Sequence, residues 1–142
     1  MVSRSRSGIT LQLMEILIST ILVLGTASAH DELMQSICIV ESNCDSTAVG
    51  AAGEIGPYQI LQCYWKDAVE HNPSIGGVYL DCVDKDYSEK IMLAYWNRYC
   101  TEKRLGRKPT DEDRARIHNG GPNGYKKSST VKYWQSVKSN IT

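Results

Sequence analysis

Glu41-Ser42-Asn43-Cys44, followed by Gly50-Ala51-Ala52-Gly53-Glu54-Ile55-Gly56-Pro57-Tyr58-Gln59-Ile60, joins the end of one apolar-striped segment to a glycine-rich loop. Just upstream, Leu33, Met34, Ile37, Cys38 and Glu41 recur at three- and four-residue intervals, so residues 32–42 predict a helix with Glu41 on its apolar stripe. A carboxylate on a buried face is uncommon, which makes Glu41 the first candidate for chemistry. The segment 45–56 is rich in Gly, Ala, Ser and Thr and reads as a loop or short hairpin whose glycines allow close approach of a ligand to the backbone. Gln59 then stands as a polar residue before two apolar ones.

Outward from this stretch the chain reads as mostly helical. Residues 64–71 form a helix stopped by Asn72-Pro73, and 74–81 form a glycine-containing connection. The longest helix is expected from about Tyr87 to Leu105, with Ile91, Met92, Tyr95, Trp96 and Tyr99 buried and Gly106 closing it. Thr110-Asp111-Glu112-Asp113 resembles a capping box, with Asp at the third position in place of the better Glu. The short helix it opens ends at Asn119-Gly120-Gly121, and Ser128-Ser129-Thr130 offers caps for a last helix through about Lys138. The expected fold class is mainly α (α+β), with about five helices and one short β-hairpin or irregular β element forming a cleft.

The first residues read as an export leader. Arg4 and Arg6 precede an apolar run from Ile16 to Leu24, and Ala27-Ser28-Ala29 supplies the small-x-small spacing of a cleavage site. The expected organisation is therefore a signal peptide at 1–29 and one domain at 30–142. An uncleaved N-terminal anchor is the alternative, although the run is short for a stable membrane span. All five cysteines (Cys38, Cys44, Cys63, Cys82, Cys100) fall after the leader. In an oxidising compartment they predict two disulfides and one free thiol, with Cys63–Cys82 favoured because both flank one connecting segment. There is no C-x-x-C and the histidines are scattered, so no metal site or cofactor is expected.

A second segment completes the pattern: Ile117-His118-Asn119-Gly120-Gly121-Pro122-Asn123-Gly124-Tyr125, then Thr130-Val131-Lys132-Tyr133-Trp134. The first stretch resembles the signature of the lysozyme superfamily, especially goose-type lysozymes and lytic transglycosylases. There a Glu-Ser opens the motif and a Gly-x-x-Gly-x-x-Gln element, here Gly53, Gly56 and Gln59, lines the glycan cleft. The second is similar to the His-Asn-Gly-Gly-Pro stretch of invertebrate-type, destabilase-like lysozymes. This resemblance implies a secreted glycosidase that cleaves the MurNAc–GlcNAc β-1,4 linkage of bacterial peptidoglycan, in defence or digestion, with Glu41 as general acid. It implies substrate contacts at Ser42, Gly56, Tyr58, Gln59, His118, Asn119 and Gly120. Plainer roles stand beside each. Glu41 could cap or pair, Gln59 could start a helix, Tyr58 could be core, and His118 and Asn119 could simply end a helix before a glycine turn.

One departure from the family pattern matters for mechanism. Invertebrate-type lysozymes are richer in cysteine and carry an aspartate in the loop near where this chain has Ala48 and Val49. Asp45 and Glu54 are the acidic residues of that loop, and Glu54, inside the glycine-rich strip, is the better substitute. Three mechanisms remain open. Glu54 could act as nucleophile at about 5 Å from Glu41, or hold a water across a gap of roughly 6.5–9.5 Å. Alternatively Glu41 works alone with the substrate's N-acetyl group, as the glycines flanking Glu54 suggest; hydrolysis is favoured over transglycosylation. The rival classes are an inactive peptidoglycan- or chitin-binding protein and a secreted isopeptidase or protease inhibitor of the destabilase kind.

The formal charge is zero, but it is unevenly spread: residues 30–97 hold 11 acidic and 3 basic residues, and residues 98–142 hold 4 acidic and 11 basic ones. Such halves read either as ordinary solvated surface or as a basic face for an anionic cell wall. Nothing matches a nucleic-acid module, no stable membrane insertion is expected, and the domain is expected to be a monomer.

Overall fold

The computed structural model describes residues 30–141, and the leader read over 1–29 lies outside them. Helix α1 (Asp31–Ser42) buries Leu33, Met34, Ile37 and Cys38, as its periodicity predicts. It closes on Asn43, whose φ of 57° lies in the left-handed region. The Asn43 N–H donates to the Ile39 carbonyl at 3.0 Å, the single bond of an αL cap, and the Cys44 N–H donates to the Cys38 carbonyl at 3.0 Å, so two of the last carbonyls of the helix are satisfied. A disulfide joins Cys38 to Cys44 across that turn, with their Cα atoms 4.9 Å apart.

This bridge corrects the expected cysteine arrangement. Cys63, Cys82 and Cys100 are free thiols, so the Cys63–Cys82 pairing is not formed. The helix-closing turn is what brings two cysteines six residues apart within bonding reach. Burial pushes the Cys82 thiol up to about 12 and the Cys100 thiol up to about 11.

The loop after α1 folds into a small irregular β element. Antiparallel bridges pair Val49 with Ile55 and Ile55 with Ile60, so Ile55 serves both turns. Gly56 sits between them at φ 75°, and a Cβ there would collide with the Cys82 carbonyl oxygen. Glycine is demanded twice over, by the backbone angle and by the close approach.

Helix α2 (Gln62–His71) ends at Asn72-Pro73, where a 3-10 turn (Pro73–Ile75) begins. A second 3-10 turn (Tyr79–Val83) leads to α3 (Lys85–Tyr99), started by the Asp84 side chain, which accepts the Tyr87 N–H at 2.8 Å. The expected helix through Leu105 is broken at Cys100-Thr101. Thr101 is extended and its hydroxyl accepts the Arg104 N–H at 3.3 Å, so it caps a separate short helix, α4 (Glu102–Leu105). Gly106, with φ 73°, closes α4.

Helix α5 (Asp111–Gly120) opens on the expected capping box. Thr110 accepts the Asp113 N–H, and Asp113 accepts the Thr110 N–H at 2.9 Å. Thr130 does not cap the last helix, α6 (Val131–Lys138). Residues 128–130 form a 3-10 turn, and the Thr130 hydroxyl instead bonds the carbonyls of Gly124 and Lys127, at 2.8 and 2.9 Å. One core joins these elements: Leu33 and Ile37 of α1, Tyr58 and Ile60 of the β element, Ala68, Ile91, Met92, Ile117 and Val137. Each buried Leu or Ile contributes about 1.5–3 kcal/mol. The consequence for function is convergence. The C-terminal turns of α1 and α5, the start of α2 and the β element all meet at one cleft.

Candidate active site

Glu41 stands in the last turn of α1, on the side that faces the core, and its side chain keeps 17% exposure. Its Oε1 accepts a hydrogen bond at 2.7 Å from the hydroxyl of Tyr133, in α6. His118 Nε2 lies 3.5 Å from the same oxygen. Both partners address Oε1, and Oε2 takes no hydrogen bond from the described residues.

The His118 ring is fixed from both sides. Nε2 is 3.1 Å from the Tyr58 carbonyl, and Nδ1 is 3.3 Å from the Tyr64 hydroxyl. A carbonyl only accepts, so Nε2 donates to Tyr58, and in the tautomer with its hydrogen there Nδ1 accepts from Tyr64. Tyr64 can serve as that donor because it stays protonated: burial first, then the neighbouring Tyr95 and the Glu41 charge, push its phenol far above the ordinary value. Tyr133 behaves alike, raised by desolvation and then by the charge and hydrogen bond of Glu41.

The cleft has a volume of about 140 Å³ and is lined by Glu41, Ala52, Glu54, Gln59, Leu61, Tyr64, His118 and Asn119. It therefore brings together five of the residues read from the sequence: Glu41, Glu54, Gln59, His118 and Asn119. Glu54 is half-buried, and its Oε2 accepts the Ala52 N–H at 2.9 Å. Its side chain lies against Gly50, where any Cβ would overlap the carboxyl group. Gln59 adopts a left-handed backbone, φ 48°, and its amide nitrogen donates to the carbonyls of Gly56 and Ala48, at 2.9 and 3.2 Å.

The other expected contacts lie elsewhere. Tyr58 is core and not a sugar platform: its ring is fully buried and its hydroxyl donates to Glu89 at 2.6 Å. Ser42 ties α1 to the β element by donating to the Pro57 carbonyl at 2.8 Å. Gly56 packs on the backbone at Cys82, and the Gly120 carbonyl accepts from Lys127 Nζ at 2.6 Å. Asn119 does not cap α5, which continues through Gly120. Tyr133 and Tyr64 are the functional neighbours that sequence reading did not single out. Tyr133 lies 92 residues from Glu41, and only its place in the second family-like segment hinted at it.

The Destabilase family matches residues 30–140. The chain belongs to that family. This Destabilase chain is 33% identical over 128 residues to invertebrate-type lysozyme 6 of Caenorhabditis elegans, covering 83% of this chain and 91% of that protein. It is 30% identical over 129 residues to a lysozyme of Magallana gigas, covering 86% and 88%. Among solved structures, Tapes japonica lysozyme superposes with a TM-score of 0.64 at 30% identity, over 75% of this chain and 86% of that one. Meretrix lusoria lysozyme, solved in complex with Aeromonas hydrophila PliI, gives 0.66 at 29% identity, over 76% and 87%. The Destabilase chain thus has a lysozyme fold and the function of a lysozyme-type glycoside hydrolase. Among the described residues no helix is long and apolar enough to cross a membrane.

Proposed function

We propose that this glycoside hydrolase is secreted and cleaves the MurNAc–GlcNAc β-1,4 linkage of bacterial peptidoglycan by hydrolysis, with Glu41 as general acid. The observation that carries the reading is the one-sided grip on Glu41: Tyr133 donates to Oε1 and His118 flanks it, which leaves Oε2 to hold a proton toward the cleft. That proton passes to the glycosidic oxygen as the C1–O bond breaks, and the leaving sugar departs as an alcohol. The sugar ring then carries oxocarbenium-like positive charge, which Glu54 on the same cleft stabilises. A water adds to C1 and returns its proton to Glu41. Gln59 and Asn119 orient the sugars.

Support for giving Glu54 this role is its fixed position, held by the Ala52 N–H above Gly50, in a loop that lacks the family's aspartate. The test is clearance of a bacterial cell suspension by wild type and Glu41→Gln, followed by product mass. The variant is expected to fold, to bind oligosaccharide and to lose at least about a hundredfold in rate. Equal clearance by both proteins removes Glu41 from the mechanism. An anhydro product, lighter by one water, replaces hydrolysis with transglycosylation and leaves the substrate assignment standing.

A further inference from the structure

A second and larger cavity, about 620 Å³, lies at the far end of α2 from the Glu41 cleft. Tyr64 borders the first cleft and His71 the second, about 10 Å apart along the helix axis at 1.5 Å per residue. No carboxylate lines this second cavity, and Lys90 of α3 stands on its rim. Lys90 forms no ion pair among the described residues, whereas its helix neighbours do: Lys85 faces Glu89 at 3.9 Å, and Arg98 faces Glu70 at 3.4 Å. The rim is otherwise built of hydrogen-bonding groups. Ser74 donates to Asn72 Oδ1 at 2.6 Å, which occupies the Asn72 carbonyl and leaves its NH2 as a donor, and Asn97 stands nearby. Leu93, 37% exposed, lies with Ile75 and Ala94 as the apolar part of the lining.

We propose that this cavity is a non-catalytic site for the carboxylate-bearing peptide stems of a peptidoglycan strand, engaged while the Glu41 cleft holds the glycan of the same polymer. The proposal rests on the peptidoglycan reading above. Three features select a peptide over a sugar. The lining has no Trp, Tyr or Phe ring, the broad apolar platform on which a pyranose stacks; its one ring is the small, polar His71 imidazole. It offers an unpaired ammonium to a carboxylate and amide donors to peptide carbonyls. Its small apolar area suits the methyl groups of alanine, which stem peptides carry beside their acidic residues. A pair of weak sites on one polymer raises retention on the wall without any change in the bond-breaking step.

The experiment uses the whole domain and two soluble probes, the stem peptide L-Ala-γ-D-Glu-L-Lys-D-Ala and chitotriose. In methyl NMR the peptide is expected to shift Leu93 and Ala94, and chitotriose to shift residues of the other cleft. Lys90→Glu is expected to weaken the peptide about tenfold or more and leave chitotriose unaffected. On intact sacculi the same variant should turn over about tenfold more slowly, while glycan strands stripped of peptide by an amidase are cut at the wild-type rate. No peptide-induced shift at Leu93 and Ala94, shifts confined to the Glu41 cleft, or an equal deficit on stripped strands overturns the proposal. Failure of wild type to cut stripped strands counts instead against the glycosidase reading, since peptide binding is read independently of cleavage.

Discussion

Tyr133→Phe removes a single oxygen beside Glu41 and leaves the aromatic ring in place. The hydroxyl donates to Glu41 Oε1 at 2.7 Å, and a donor stabilises the ionised carboxylate more than the protonated acid. Hydrogen bonds to charged groups contribute about 1.5–3 kcal/mol. Glu41 retains 17% exposure and keeps His118 at 3.5 Å, so the lower end of that range applies. At about 1.4 kcal/mol per factor of ten, the loss lowers the rate of the acid-catalysed step about tenfold. The direction follows from position: without the Tyr133 hydroxyl on Oε1, the carboxyl group can turn its acid oxygen away from the cleft. The maximal rate should therefore fall, while the affinity for an intact oligosaccharide changes little. The assay is initial lysis of bacterial cells from pH 4 to 9 at constant ionic strength, with thermal unfolding of the variant as control. A wild-type rate in a normally folded variant refutes the assignment of Tyr133 as the group that positions Glu41.

Glu54→Gln is expected to lower cleavage by at least about a hundredfold with oligosaccharide affinity nearly unchanged, because its charge acts on the transition state. Ala48→Asp in that background should restore part of the rate; a silent Glu54→Gln would leave Glu41 working with the N-acetyl group alone. Thiol titration of the denatured, unreduced protein should find close to three groups per chain, matching Cys63, Cys82 and Cys100; a count near one would mean a second bridge. Desolvation raises the Asp113 carboxyl, but the bidentate hydrogen bonds from Arg107 at 2.6 and 2.7 Å and those from Thr110 outweigh it and hold it below its ordinary value. The stability it lends is therefore present above the unfolded value near 3.9 and lost as pH falls through the folded one, so Arg107→Ala should flatten the acid limb of a melting-temperature profile.

Local patterns were legible where local chemistry decides the structure. The stripe Leu33, Met34, Ile37 and Cys38 placed α1 and set Glu41 on its inner face, and Thr110 with Asp113 gave the start of α5. Helix α3 was overextended because its apolar spacing continues past Tyr99, and a threonine cap at Thr101 looks no different in sequence from a threonine inside a helix. The cysteines misled for a related reason. Pairing was argued from the segment between Cys63 and Cys82, but a left-handed residue at Asn43 decides which sulfurs meet, and periodicity does not reveal a positive φ. Within the site, the residues found in advance were those in the two family-like segments. Tyr133 and Tyr64 escaped because their roles exist only once α6 and α2 pack against Glu41 and His118.

The loop between Glu41 and Gln59 shows how a missing carboxylate and an added one form a single structural fact. The resemblance to invertebrate-type lysozymes leads to the expectation of an aspartate near Ala48, where this chain carries no charge. Glu54 is six residues farther on, too distant along the chain to count as a simple replacement. The β element folds that distance away: Gly50 donates its N–H to the Glu54 carbonyl at 2.8 Å, and Gly56 donates to Ala48 at 2.9 Å, so the two positions flank the single Val49–Ile55 bridge from its two arms. With a side chain at position 50 the Glu54 carboxyl would be displaced, and without the Ala52 N–H its orientation would be free. Gly50, Ala52 and Glu54 therefore act as a unit that presents one fixed negative charge to the cleft that contains Glu41. Gly50→Ala should accordingly impair cleavage as Glu54→Gln does, although residue 50 itself has no group that could touch a sugar.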